Sequence, residues 1–143
     1  MGQDVADTAG MLGITLKPWQ QHVVDVLLEH DGDGNLFYDT GVLSVGRRAG
    51  KTLLVFLMAL TRMRVERRQT VWFTAQDERS AATHFRNEYV PLAKDCALSE
   101  SFKIRLANGS EAITYEPTGS KFSLFSPRPS ALHGFNSDMV IID

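Results

Sequence analysis

Hydrophobic positions change period along this chain, and the changes divide it into elements. Residues 1–15 carry only a weak pattern and read as a flexible lead-in. From Leu16-Lys17-Pro18-Trp19-Gln20 onward, Trp19, Val23, Val24, Leu27 and Leu28 recur at helical spacing. Pro18 falls in the first turn of that helix, where no N–H is needed. A polar, glycine-rich run, Asp31 to Asn35, ends it. Leu36–Tyr38 reads as a short strand and Val42–Val45 as a buried one. A basic turn from Gly46 to Gly50 follows, and then a helix to about Arg67. Thr70–Ala75 is rich in β-formers and reads as a second buried strand.

Asp77 to about Lys94 is again helical, with Ala81, Ala82, Phe85, Tyr89 and Leu92 on one side. Asp77 reads as its N-cap. Alternation then appears on both sides of Asn108-Gly109, in Phe102–Leu106 and Ala112–Tyr115, which predicts a β-hairpin. Lys121–Ser126 reads as a further strand, broken by Pro127-Arg128-Pro129-Ser130. A loop over 131–136 leads to Met139-Val140-Ile141-Ile142-Asp143, a buried strand with a carboxylate at its C-terminal end. Strands that alternate with helices predict an α/β fold, a parallel sheet flanked by helices.

Composition narrows the class. At 143 residues, 43% hydrophobic and 22% charged, the chain suits one globular domain and excludes disorder. The net charge of −2 hides an asymmetry: the first forty residues are acidic with Lys17 their only cation, whereas Arg47 to Arg68 is basic with Glu66 its only acid. Arg62, Arg64, Arg67 and Arg68 suit the C-terminal end of a helix dipole. A single cysteine, Cys96, excludes an internal disulfide and fits a reducing compartment. No apolar run is long enough to cross a bilayer, so no membrane partner is expected.

The chemistry centres on Gly46-Arg47-Arg48-Ala49-Gly50-Lys51-Thr52. A strand, a glycine-bearing turn and a helix that opens with Lys-Thr form a phosphate loop: backbone N–H groups and the helix dipole converge on an anion. Lys51 would reach the β- and γ-phosphates of ATP, and the Thr52 hydroxyl would hold Mg2+. The pattern departs from the usual one in its first glycine, since Val45 stands five residues before Gly50 and Gly46 comes one place late. The run Val140-Ile141-Ile142-Asp143 supplies a second Mg2+ partner, Asp143, at the carboxyl edge of the same sheet. Asp31-Gly32-Asp33-Gly34-Asn35 shares acids with a calcium loop. It has Val42 where the twelfth-position glutamate would stand, so it reads as a turn.

Together these residues resemble the ATPase domain of tailed-phage terminase large subunits, the motors of viral DNA packaging. Gly46–Thr52 resembles that family's deviant Walker A, which often carries an arginine where Arg47 stands. Leu16–Gln20 resembles its adenine-side segment, with Gln20 as the adenine reader. Leu132-His133-Gly134-Phe135-Asn136 and Met139–Asp143 resemble its approach to Walker B. The likeness runs from Leu16 to Asp143. It implies a P-loop NTPase fold of the ASCE/RecA-like kind, truncated after the Walker B strand. Residues 16–143 would be the N-terminal portion of that ATPase domain. The resemblance implies ATP and Mg2+ as cofactors. It also implies double-stranded DNA, a terminase small subunit and a portal as partners, a homo-oligomeric ring on the procapsid, and the host cytoplasm as location. In the family a glutamate that activates water follows the Walker B aspartate. Here Asp143 is the last residue, so the fragment is expected to be inactive in hydrolysis while its parent, a hydrolase with a nuclease domain, is active. A strand from beyond Asp143 would lie between Val42–Val45 and Met139–Ile142.

Two other classes stay open, a helicase-type P-loop ATPase and a non-catalytic nucleotide-binding assembly module. Arg47 is either an arginine offered in cis to the γ-phosphate or a solvated loop residue. Arg48, with Gly46 and Ala49, belongs to the nucleotide-binding turn and faces solvent or DNA. Arg128 is either offered to a neighbouring subunit's ATP or part of a rigid surface turn. Gln76 and Arg79 lie either on a DNA-facing edge or simply at a helix N-terminus. His84 and Cys96 lack partners at metal or nucleophile spacing and read as structural.

Overall fold

The computed structural model describes residues 2–127 and 136–143; Arg128 and the expected stretch Leu132-His133-Gly134-Phe135 lie outside them. The chain divides into two compact units, Met1–Thr61 and Arg62–Asp143.

The first unit is helical. The expected frayed lead-in is instead a helix, α1 (Gly2–Met11), with Val5, Thr8 and Ala9 buried. Its inward face is built from small residues, too faint a stripe to read among Gly2, Gly10, Asp4 and Asp7. Helix α2 (Pro18–Leu27) and the start of α3 (Lys51–Val65) complete the unit. Val5, Ala9, Val24, Leu54 and Leu57 form its core, with Trp19, Leu16, Val23 and Leu43 packed around them. The Thr61 hydroxyl lies 2.9 Å from that of Thr8, which itself donates to Asp4 O, so a polar contact inside the core joins α1 to α3.

The strand expected at Val42–Val45 does not form. These residues have no regular structure, and Val42 is 92% exposed. A strand needs a neighbour to satisfy its backbone groups, and every ladder of the sheet is built from residues 70–142. Leu43 packs instead on the helical core. Leu36–Tyr38 contributes one isolated bridge, Leu36 to His30.

The second unit holds a five-stranded sheet: β1 (Thr70–Thr74), β2 (Phe102–Arg105), β3 (Ala112–Tyr115), β4 (Ser120–Leu124) and β5 (Met139–Ile142). Its order is β2-β3-β4-β1-β5. The sheet is mixed: β1 runs parallel to β4 and β5, whereas β2, β3 and β4 form an antiparallel meander. The wholly parallel sheet is corrected on this point, because the predicted hairpin is itself antiparallel. Its turn is closed by Ser110 N–H donating to Ala107 O, with Gly109 at φ +75°.

A helix runs from Glu78 to Lys94 along one face of the sheet, as α4 (Glu78–His84), a π-helical turn (Phe85–Tyr89) and α5 (Val90–Lys94). Asp77 caps it, accepting from Ser80 N–H at 2.8 Å and from the Ser80 hydroxyl at 2.6 Å, bonds that hold its carboxyl below the usual range. Pro91 has no N–H for the carbonyl four residues back, and its ring crowds that turn. The helix widens there, and Val90 N–H reaches Phe85 O. The extra residue moves the inward stripe by one place. Ala81, Phe85, Tyr89 and Ala93 are buried, and Leu92 is only half-buried. Tyr89 meets Phe73 of β1 and Phe122 of β4 edge-on, at centroid separations of 4.9 and 5.1 Å. Such pairs add about 0.5–1.5 kcal/mol each beyond burial.

Arg86 ties this helix to the hairpin. Its Nη2 donates to Glu111 Oε1 at 2.6 Å, to Asn108 Oδ1 and to Leu106 O. Glu111 is 2% exposed, and its Oε2 has no hydrogen-bond partner among the described residues. Removing the cation strands a buried carboxylate, whereas removing both partners does not. Arg86→Ala is therefore expected to destabilise by about 2 kcal/mol, less than for a fully buried pair because Arg86 is half-exposed. The double variant Arg86→Met/Glu111→Leu is expected to recover most of that loss in urea unfolding.

Candidate functional site

The basic turn closes on itself, Ala49 N–H donating to Gly46 O at 3.3 Å. Its third residue, Arg48, holds φ +62°, a conformation side chains seldom adopt. Arg47 and Arg48 are both exposed. Gly50 follows at φ +103°, and α3 begins at the next residue, with Leu54 N–H donating to Gly50 O as the first helical bond. The N–H groups of the first helical turn have no acceptor within the helix and point out of its N-terminal end. Lys51 and Thr52, both half-buried, occupy that first turn.

Gln20 lies behind this junction. It is 3% exposed, and both ends of its amide are engaged. Oε1 accepts from Lys17 N–H at 2.8 Å, which caps α2, and Nε2 donates to Gly50 O at 3.2 Å. The amide keeps one N–H and one lone pair in reserve, a donor and an acceptor side by side. Lys17, which the sequence did not single out, adds a second tether: its Nζ donates to Ala49 O at 3.4 Å. The signal for it was present, since a glutamine three residues after an N-cap position is the second half of a capping box.

Asp143 belongs to the second unit. Its N–H donates to Thr74 O at 3.0 Å, extending the parallel pairing of β1 and β5 by one residue and leaving Asp143 at the carboxyl end of both strands. Tyr89 lies beneath the same end. Burial pushes its phenol above the ordinary range, and the charges of Asp143 and Glu88 push it the same way. Thr74, Ser126 and Glu78 meet at this edge too, through Thr74 Oγ1 to Phe125 O at 3.0 Å and Ser126 Oγ to Glu78 Oε2 at 3.0 Å. Gln76 and Arg79 are exposed beside it.

The remaining candidates have structural partners. The Asp31 carboxylate accepts from Asp33 N–H, Asn35 N–H and the Asn35 amide, so it holds its own turn. His84 pairs with Glu88 one turn along at 2.9 Å. The Cys96 thiol donates to Ala93 O. Arg62 donates to the Gln69 side chain at 3.0 Å. Among the described residues, no helix is long and apolar enough to cross a membrane.

Gly50 is the residue on which this site turns. A Cβ there would lie 3.0 Å from Gln20 Nε2, in a backbone conformation that side chains rarely adopt. Gly50→Ala is expected to shift the start of α3 and break the Gln20 tether. Hydrogen exchange should show faster exchange at the N-terminal turns of α2 and α3, with the β1–β4 ladder unchanged.

No protein-family model, curated protein or solved structure matches this chain.

Proposed function

We propose that this chain is the ATP-binding part of a DNA-packaging motor of the terminase large-subunit kind, within a P-loop NTPase fold. The observation that carries the reading is the left-handed Gly50 that opens α3, with Lys51 and Thr52 in the first turn and the exposed Gly46–Arg48 turn before it. A Cβ-free residue beneath a helix N-terminus, flanked by cations, suits a polyphosphate.

The residues present fit the groups this reading implies. Lys51, with the turn N–H groups and Arg47, would hold the phosphates of ATP. The Thr52 hydroxyl is a hard oxygen donor of the kind that Mg2+ prefers. Bound Mg2+ supplies charge neutralisation at the phosphates during phosphoryl transfer. Gln20 offers adenine its reserve donor and acceptor, and Lys17 and Gln20 keep the loop carbonyls turned away from the anion. DNA, a small subunit, a portal and a ring of like subunits are the partners this reading proposes.

Calorimetric titration of the chain with ATP and Mg2+ tests it. Lys51→Ala, which leaves a good helix former in place, is expected to weaken binding at least about ten-fold, the loss of roughly one charge-assisted contact. Unchanged affinity in a folded Lys51→Ala protein would overturn the assignment.

Base reading has its own test. Gln20→Ala is expected to weaken ATP more than GTP, because the amide is held in one orientation and adenine and guanine present their donor and acceptor in opposite order. Equal loss for both nucleotides would leave Gln20 as a tether between α2 and the loop and nothing more.

A further inference from the structure

The face of the sheet opposite the Glu78–Lys94 helix carries a second feature. Register places Lys103, Thr114, Lys121 and Thr70 in one row across β2, β3, β4 and β1. Arg105, Ala112, Ser123 and Trp72 form the next row. Partners in register share a face, so all eight side chains project to the same side. Lys103, Arg105 and Lys121 are exposed. Between them the floor is small: Ala112, Thr114 and Ser123. The result is a hollow of about 1100 Å³ with cations on both sides.

We propose that this hollow binds a single-stranded nucleic acid, its phosphates on Lys103, Arg105 and Lys121 and its bases over the small-residue floor toward Trp72. Charge favours a polyanion: three cations project from these two rows and no carboxylate does. Glu111 and Glu116 also line the hollow, Glu111 buried with its carboxylate on Arg86 and Glu116 exposed. Lys103 and Lys121 stand two strands apart, about 10 Å, which admits a strand with its bases but not a duplex. The floor lets a flat ring approach the sheet, with the Thr114 and Ser123 hydroxyls as hydrogen-bonding groups. Trp72 offers aromatic surface beside it, its indole N–H donating to Asn136 O at 3.2 Å. An acidic peptide would match the charges but would have no use for the aromatic wall or the open floor. The proposal concerns the second unit alone and stands whether or not Gly46–Thr52 binds ATP.

Fluorescence anisotropy of a labelled oligo(dT), with the full chain and no nucleotide, tests it. The triple variant Lys103→Ala/Arg105→Ala/Lys121→Ala is expected to weaken binding at least about ten-fold. It should also lower the slope of log K against log salt by about 2, at roughly 0.7 per phosphate for single strands. Lys94→Ala, an exposed cation on the opposite helix, is the control and is expected to bind as the parent does. Circular dichroism confirms that the triple variant is folded. Because the changes are exposed and surface-facing, a folded protein is expected; should the triple not fold, Lys103→Ala and Lys121→Ala singly carry the same comparison. In a Trp19→Phe protein, oligo(dT) is expected to change Trp72 emission. Unaltered affinity in the variants, or an equal loss in Lys94→Ala, would overturn the proposal. So would equal competition by poly-glutamate, or duplex binding as tight as that of the single strand.

Discussion

Gly50 has to hold a backbone conformation closed to other residues, and the first unit is arranged around that constraint. At φ +103° it turns the chain from an irregular approach into the axis of α3. Its carbonyl takes two bonds at once, from Leu54 N–H inside the helix and from the Gln20 amide outside it. The second bond fixes α2, because the same amide accepts the Lys17 N–H at the start of that helix. One side chain thus joins two helix starts. The loop carbonyls at Ala49 and Gly50 both face protein donors, so the turn and the start of α3 are held to α2 from two sides.

Much of the second unit could be read from the sequence. Thr70–Ala75, the hairpin about Asn108-Gly109 and Met139–Ile142 each carry a period-2 or continuous apolar pattern bounded by turn residues, and each forms within a residue or two of expectation. The helix after Asp77 was legible for the same reason, and so was its cap. Its inward stripe was not, because Pro91 adds a residue to one turn and the 3.6 period fails there. Val42–Val45 shows the other limit. A four-residue apolar run states a preference for burial but does not name a partner, and Leu43 met that preference on helices rather than in a ladder. Helix α1 was missed because alanine, threonine and valine can bury a face without a strong amphipathic signal.

The candidate site divides along the same line. Residue type and spacing picked out Lys51 and Thr52, as a glycine before Lys-Thr at a helix start, whereas Gln20 came only from the resemblance to terminases. Neither showed that the Gln20 amide is already bonded at both ends, since that depends on a contact thirty residues away in the chain. Recognition of a base would therefore draw on the reserve donor and acceptor of an amide held in place. A held amide loses little freedom on binding, and its fixed orientation discriminates better than a mobile one.

The edge of the sheet raises a separate question of association. Strand β5 is Met139-Val140-Ile141-Ile142, apolar throughout, with Val140 and Ile142 exposed and Ile142 at 77%. Such an edge invites pairing with another copy. The flanking residues oppose it. Antiparallel pairing of two copies centred between Val140 and Ile141 would set Met139 against Ile142 and Asp138 against Asp143, twice over. Both aspartates are tethered, Asp138 Oδ2 accepting from Thr70 N–H at 2.7 Å and Asp143 N–H donating to Thr74 O at 3.0 Å. Neither can easily swing clear of its counterpart, and like charges directly opposite one another across strands destabilise the pair. Slipping the register by two residues separates both aspartate pairs but gives up half of a four-residue ladder. The apolar strand thus carries a carboxylate at each end, Asp138 and Asp143, and these disfavour in-register pairing with its own kind.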